Sequence, residues 1–381
     1  MTTKPSIVFI GPWNFHSGAG QAARGNLQAL WRLQDKYSIY PLGVMRYGPH
    51  RLSSQLTPTV EPNLCPDIVI VHLNPDTAPS LLTPEHQKLI HRSRHRIGLW
   101  IWENLQVPHG WSKALGWIDS LWVPSSYCRD LFGGLTDLPI SVIPHVIPVA
   151  RDRDSASISK AEIQRQILYI FDGASYLRRK NPAALVRAFH QSTLTAQGWR
   201  LCLKTKNFDS SGYDQASYQE FRHAMHRLEE SCPGSLQLIT ADLDQVAINQ
   251  LMATAAIYAS PHASEGYGLT IAEAMASGSL VVATDYGGSR DFLDAETGFP
   301  VRYTLKAEPL GYGSYQSGCV WASVDEVHLS ECLQQAATLC SKNKHQQMRQ
   351  LAKQRIADHC SVDVVARLMQ QELKLILSGQ S

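Results

Sequence analysis

Short apolar runs rich in β-branched residues alternate along the chain with longer segments of helical period. In the first half the runs are 6–10, 68–72, 97–102, 120–123 and 141–143; in the second they are 167–171, 200–204, 256–260 and 280–283. Near-continuous apolar runs separated by helix-sized segments predict parallel strands covered by helices on both faces, an α/β architecture built twice. Between the halves, 147–160 (IPVARDRDSASISK) is polar and aperiodic and reads as a linker. The length of 381 residues suits two domains, expected at 1–155 and 156–360. Beyond them Val362, Val365, Met369, Leu373 and Ile376 recur at spacings of three and four, a helical stripe that must bury against something. That segment, 361–381, is expected to pack back across the domains.

The stretch SEGYGLTIAEAMASG at 264–278 follows a buried strand and opens a helix predicted over 270–277, closed by Gly278. Two readings of Glu273 stand side by side. Thr270-Ile-Ala-Glu273 has the capping-box pattern, in which the acid serves the helix start alone. Alternatively Glu273 and Glu265 both face a ligand. A carboxylate accepts two hydrogen bonds and suits a vicinal diol, and the glycines beside Glu265 allow close approach to backbone N–H groups at a helix start.

The E-x7-E pair and the surrounding run 260–288 (SPHASEGYGLTIAEAMASGSLVVATDYGG) resemble the donor-site signature of the retaining GT-B glycosyltransferases of group 1. The resemblance extends weakly over 167–303. It implies two Rossmann-like domains facing a cleft, with a nucleoside-diphosphate sugar held mainly by the C-terminal one. It also implies transfer of a hexose-like sugar to an acceptor hydroxyl of a glycan, glycolipid or polysaccharide precursor. In that picture Glu273 binds the ribose hydroxyls, Glu265 the donor sugar, and the backbone of Gly266, Tyr267, Gly268 and Leu269 lines sugar and diphosphate.

The departing diphosphate calls for fixed cations, and DGASYLRRKNP at 172–182 supplies them after a strand. Lys180 occupies the family's lysine position, whereas Ser175 stands where the family has arginine. The second positive charge is then expected from Arg179 or Lys204. Glu103 stands where many relatives place an N-terminal-side histidine and is the candidate there for contact with donor sugar or acceptor. His72 and His145 read as packed core histidines, and the tryptophans at 100, 102, 111, 117 and 122 as mostly core.

GPWNFHSGAGQAAR at 11–24 resembles the family's glycine-rich loop, with Gly18 and Gly20 approaching the phosphates. It also spells a G-x-G-x-x-A dinucleotide fingerprint, but seven residues intervene after the strand and 37–42 carries no acid for a ribose, which counts against a nicotinamide cofactor. Asp242-Leu-Asp244 matches a metal-binding Asp-x-Asp in letters, yet Asp244 precedes a helical run and reads as its cap. No required metal or cofactor is expected.

Composition changes the picture little. Thirty-five basic against 33 acidic side chains point to no nucleic-acid partner. Eight scattered cysteines without a C-x-x-C pair read as reduced thiols, and no run is long enough to span a bilayer, so a cytoplasmic protein is expected. The basic stretch 85–96 leaves peripheral membrane contact, and with it a lipid-linked acceptor, open. A protein that binds a nucleotide sugar without turning it over is the competing reading.

Overall fold

The computed structural model describes residues 4–44, 61, 63–148, 164–208, 214–308, 311–341 and 345–379. The linker from 149 onward, the second Asp-x-Asp at 152–154 and the expected boundary at 155 lie outside them. The chain divides into two compact units, the first comprising 1–103, 107–148 and 358–381, the second 104–106 and 149–357.

The first unit is built on a six-stranded parallel sheet of β1 (Ser6–Gly11), β2 (Ser38–Gly43), β3 (Ile68–Val71), β4 (His95–Leu99), β5 (Ser120–Val123) and β6 (Ile140–Val142), in the order 2-1-3-4-5-6. The central strands β1, β3 and β5 are apolar on both faces and buried, as a helix-covered parallel sheet requires. β4 begins and ends earlier than its apolar run suggests. Its polar start is held in the sheet by Arg96, which pairs bidentately with Asp119 at 2.8 and 2.9 Å. Trp100, just past its end, donates its backbone N–H to Trp122 O. Of the five tryptophans, 100, 102, 111 and 122 are core and Trp117 is exposed.

Helix α1 (Gly18–Trp31) follows β1 and is capped by the Ser17 hydroxyl, which accepts from Gly20 N at 3.0 Å. A Cβ on Gly20 would stand 2.1 Å from Phe15 O, so glycine is required there, whereas Gly18 is exposed with open space around it. Arg24 reaches back to donate to Trp13 O and Phe15 O, which holds the seven-residue insert against the helix. The C-terminal stripe belongs to this unit: Val365, Ala366, Met369 and Leu373 are buried in one core with Leu27, Leu30, Ile7 and Phe9.

The second unit carries another six-stranded parallel sheet: β7 (Gln164–Asp172), β8 (Arg200–Lys206), β9 (Leu236–Ile239), β10 (Ala255–Ser260), β11 (Leu280–Thr284) and β12 (Phe299–Val301), in the order 12-11-10-7-8-9. An antiparallel hairpin, β13 (Tyr303–Ala307) and β14 (Val320–Val324), follows it. The helices that matter below are α2 (Leu177–Lys180), α3 (Pro182–Gln191), α4 (Gln245–Thr254), α5 (Leu269–Ser277), α6 (Glu326–Ser341) and α7 (Gln346–Cys360); the C-terminal stripe forms α8 (Val362–Ser378). Asp244 caps α4, accepting from Ala247 N at 2.8 Å, which accounts for the Asp-x-Asp letters structurally. All eight cysteines are free, and no helix among the described residues is long and apolar enough to cross a membrane.

Candidate active site

β7 and β10 are neighbours running parallel, with Ile257 opposite Ile167 and Tyr258 opposite Leu168. Their carboxyl ends therefore release two loops side by side. One is 173–176 leading into α2; the other is 261–268 leading into α5. A backbone hydrogen bond locks them together, Ala263 N donating to Arg179 O at 2.7 Å, while the Tyr169 hydroxyl of β7 holds α2 by donating to Lys180 O at 2.7 Å. This pairing carries Lys180 and Arg179 to Glu265, 85 residues away in sequence.

The Lys180 ammonium pairs directly with Glu265 Oε1, and Arg179 Nη1 lies 3.4 Å from Glu265 Oε2 while also donating to Ser264 O at 3.3 Å. All three side chains are nearly enclosed, with 11 to 17% of their surface exposed. Burial pushes the Glu265 carboxyl up, but the charges of Lys180 and Arg179 outweigh it and hold it at about 2. Glu265 is thus an ionised, acceptor-only group at neutral pH. Two cations around one carboxylate leave a net positive charge there, the balance that receives an anion.

His262, which sequence inspection passed over, lies fully buried beneath the pair. Its Nε2 stands 2.9 Å from Tyr286 O, an acceptor only, and its Nδ1 stands 3.1 Å from Ser260 Oγ. The ring therefore carries its proton on Nε2 and accepts the serine hydroxyl at Nδ1; burial lowers its pKa despite the nearby carboxylate. Tyr169 and Tyr258, both buried, have their phenols pushed well up, first by burial and then by acidic neighbours including Glu265. They act as neutral supports.

α5 is preceded by Gly268 as its N-cap, in the left-handed region at φ 94°, with no side-chain cap. Thr270 is therefore inside the helix, and the capping-box reading of Glu273 fails because glycine's backbone freedom set the start two residues earlier. Glu273 is half-buried and contributes to the field on Tyr258. Gly266, Tyr267 and Gly268 are buried and Leu269 is partly open; the Tyr267 ring packs on Phe292 at 5.5 Å, so only backbone remains at this position to meet a ligand.

A second glycine turn supports the loop from below. Gly288 N donates to Glu265 O at 2.8 Å. A Cβ on Gly287 would stand 2.3 Å from Glu265 O, and one on Gly288 would stand 2.2 Å from Gly266 O. Gly288→Ala is expected to displace the Glu265 loop and cost about 1–3 kcal/mol, as overpacking does. Thermal unfolding of the variant measures the loss, and an unchanged melting temperature would refute the close packing.

Ser175 sits in the turn after β7, its N–H donating to Asp172 O at 3.1 Å. Lys204 is not brought to Glu265: it is buried on β8, its Nζ donates to Thr205 O at 2.9 Å, and burial lowers its pKa beside Asp242, Lys206 and Asp172. Arg179 is the cation that joins Lys180 at Glu265, because α2 is a single turn whose last two residues both reach the same loop. Glu103 follows β4 in the first unit, where its carbonyl accepts from the Tyr127 hydroxyl at 2.8 Å. Gly18 and Gly20 belong to the start of α1 in that same unit. His72 and His145 are buried there, their rings stacked 5.7 Å apart.

Two Rossmann-like units, each with a six-stranded parallel sheet, make this a GT-B fold. Residues 167–308, which contain Lys180, Glu265 and Glu273, match the family model described as glycosyl transferases group 1. Similar solved structures include a glycosyltransferase from Rickettsia africae, at 16% identity and TM-score 0.67 over 99% of each chain. Another is HepE from Anabaena in complex with UDP-glucose, at 14% identity and TM-score 0.66 over 97% of this chain and 99% of that one. Sucrose-phosphate synthase from Thermosynechococcus elongatus aligns at 15% identity and TM-score 0.66 over 99% of this chain and 100% of that one. No curated protein matches the chain by sequence.

Proposed function

We propose that the protein is a retaining glycosyltransferase that moves a hexose-like sugar from a nucleoside diphosphate to an acceptor hydroxyl without a required metal. The observation that carries this reading is the ionised Glu265 held between Lys180 and Arg179 at the carboxyl ends of β7 and β10. Ligands of open α/β sheets bind beyond these strand ends. The complex of HepE with UDP-glucose and that of an E. coli protein with UDP-2-fluoro glucose, both of similar fold, support a nucleotide sugar as donor.

In this mechanism the bond from the anomeric carbon to the diphosphate oxygen breaks, and charge builds on the departing oxygen as the sugar becomes oxocarbenium-like. Lys180 and Arg179 stabilise that charge, taking the part a divalent ion plays elsewhere. Glu265 accepts hydrogen bonds from the sugar hydroxyls, Glu273 from the ribose, and the N–H groups at 266–269 face the sugar and phosphates. The acceptor oxygen bonds to the anomeric carbon, and its proton leaves with the nucleoside diphosphate. Glu103 is proposed to contact donor sugar or acceptor from the first unit.

Ser175 in the place of the family's arginine favours a second reading, a protein that binds the nucleotide sugar without transferring it. Incubation with a panel of labelled UDP-, GDP- and ADP-sugars, with and without a chelator, separates the two. Transfer or donor hydrolysis that survives the chelator and disappears in Lys180→Ala is the expected result. Saturable binding with no turnover would establish the second reading, and no binding by any donor would end both.

A further inference from the structure

The second unit has a cavity of about 1010 Å3 at the other end of its sheet, where β7 and β10 begin at Gln164 and Ala255. Lys180 and Glu265 lie beyond the carboxyl ends of these strands. Across the nine residues of β7 the two regions are separated by roughly 25 Å, at about 3.3 Å per residue. The cavity therefore has no part in the chemistry described above.

Its lining is one-sided in charge. Arg165, Arg349, Lys353 and His345 face it, and among the described residues no aspartate or glutamate does. Several arginines elsewhere in this unit are matched by acids, Arg187 by Glu220 and Glu326, Arg302 by Asp325 and Arg355 by Asp294. Arg349 is held instead by neutral groups. Its Nη2 donates to Ala256 O at 3.0 Å and lies 3.9 Å from Cys340 Sγ, while its buried Nε has no hydrogen-bond partner. A partly buried guanidinium without a counter-charge sacrifices hydration that an anion would restore. Lys353 runs across Gly278, its Cε 2.6 Å from where a Cβ would stand, so the glycine at the end of α5 keeps room for this side chain. The remaining wall presents glutamine amides, among them Gln346 and Gln350 from the start of α7, which both donate to and accept from hydroxyl groups.

We propose that this cavity is a second ligand site, taking a small phosphorylated sugar whose phosphate is bound by Arg165, Arg349 and Lys353 and whose hydroxyls meet the glutamine amides. Its volume, about 1010 Å3, lies at the upper end of the range of small-molecule sites, roughly 300–1,000 Å3. β10 and α5 run from this cavity to the Glu265 loop, so one strand and one helix join the two sites. The proposal stands independently of the donor reading.

Isothermal titration of the full chain with glucose 6-phosphate, inorganic phosphate and glucose tests it. The expected result is saturable binding of glucose 6-phosphate, tighter than phosphate or glucose, that persists in Lys180→Gln. Arg165→Gln and Lys353→Gln, whose side chains lie at the cavity's rim and leave the core intact, are each expected to weaken it roughly tenfold or more, the loss of one charge-assisted hydrogen bond. No saturable binding overturns the proposal, as does equal affinity in wild type and both rim variants. Binding lost in Lys180→Gln would locate the ligand at the donor site and overturn it as well. Inorganic phosphate binding as tightly as the ester overturns the sugar assignment. Failure of the donor panel leaves these readouts unaffected, so the two ideas fall separately.

Discussion

Glu265→Gln is expected to reduce sugar transfer by on the order of 10²- to 10³-fold, the scale of losing one fixed electrostatic partner of a transition state. The amide keeps the shape but removes the charge that binds Lys180 and Arg179, so two nearly enclosed cations are left facing each other's field. Breaking such a pair from one side costs about 3–5 kcal/mol in fully buried cases; the residual exposure of 11 to 17% here lets solvent offset part of that, and a loss of about 2 kcal/mol is expected. Initial rates with the active donor and chemical denaturation measure the two effects separately. The double variant Lys180→Met/Glu265→Gln is expected to recover part of the stability and none of the activity. Turnover of Glu265→Gln within a few-fold of wild type would remove Glu265 from the chemistry.

Acid lability originating in the first unit is the second large effect. His72 is buried between Phe9 and His145, and burial pushes its pKa down to about 3; His145 is lowered as well, by burial and by His72. In the unfolded chain both titrate near about 6.5. Below that pH the unfolded state binds protons that the folded state refuses, so stability is full above about 6.5 and falls as the pH drops toward 3. Each histidine that stays neutral contributes a slope of about 1.4 kcal/mol per pH unit. The Glu265 carboxyl, held at about 2, loses its contribution only below its unfolded value of roughly 4.5. The window from 6.5 to 4.5 therefore isolates histidines. Denaturant titrations of wild type and His72→Gln across that window are expected to give a steeper fall for wild type. His86, His95, His145, His262 and His345 are lowered in the same direction and are common to both proteins, so the difference in slope reports His72. Parallel curves would show that the stacked pair does not control the acid limb.

The strands were legible because a parallel sheet covered on both faces buries whole runs, and a run of Ile, Val and Leu needs no partner to be noticed. Edge strands were less so. β2 and β9 are half-buried and of mixed polarity, and β12 is only three residues long; such segments satisfy only one neighbour and carry weaker apolar patterns. The boundary of β4 was misplaced because Trp100 and Trp102 are as buried as strand residues, although they pack beyond the sheet. The start of α5 was misjudged for a different reason: Thr270 and Glu273 spell a cap, but a glycine two residues earlier took the left-handed turn first.

By itself the sequence determined two parallel α/β halves, the apolar stripe of the last helix and a loop with acids and glycines in the order of a known donor-site signature. All of these are local, set by side-chain period, turn preference and spacing. Only tertiary structure decided that α8 packs on the N-terminal unit, that Arg179 and not Lys204 completes the charge around Glu265, and that His262 and the Gly287–Gly288 turn support it. Those decisions depend on which strand ends lie side by side. Strand order is a property of whole-sheet packing, and no periodicity within a segment encodes the neighbour that a carboxylate meets 85 residues away.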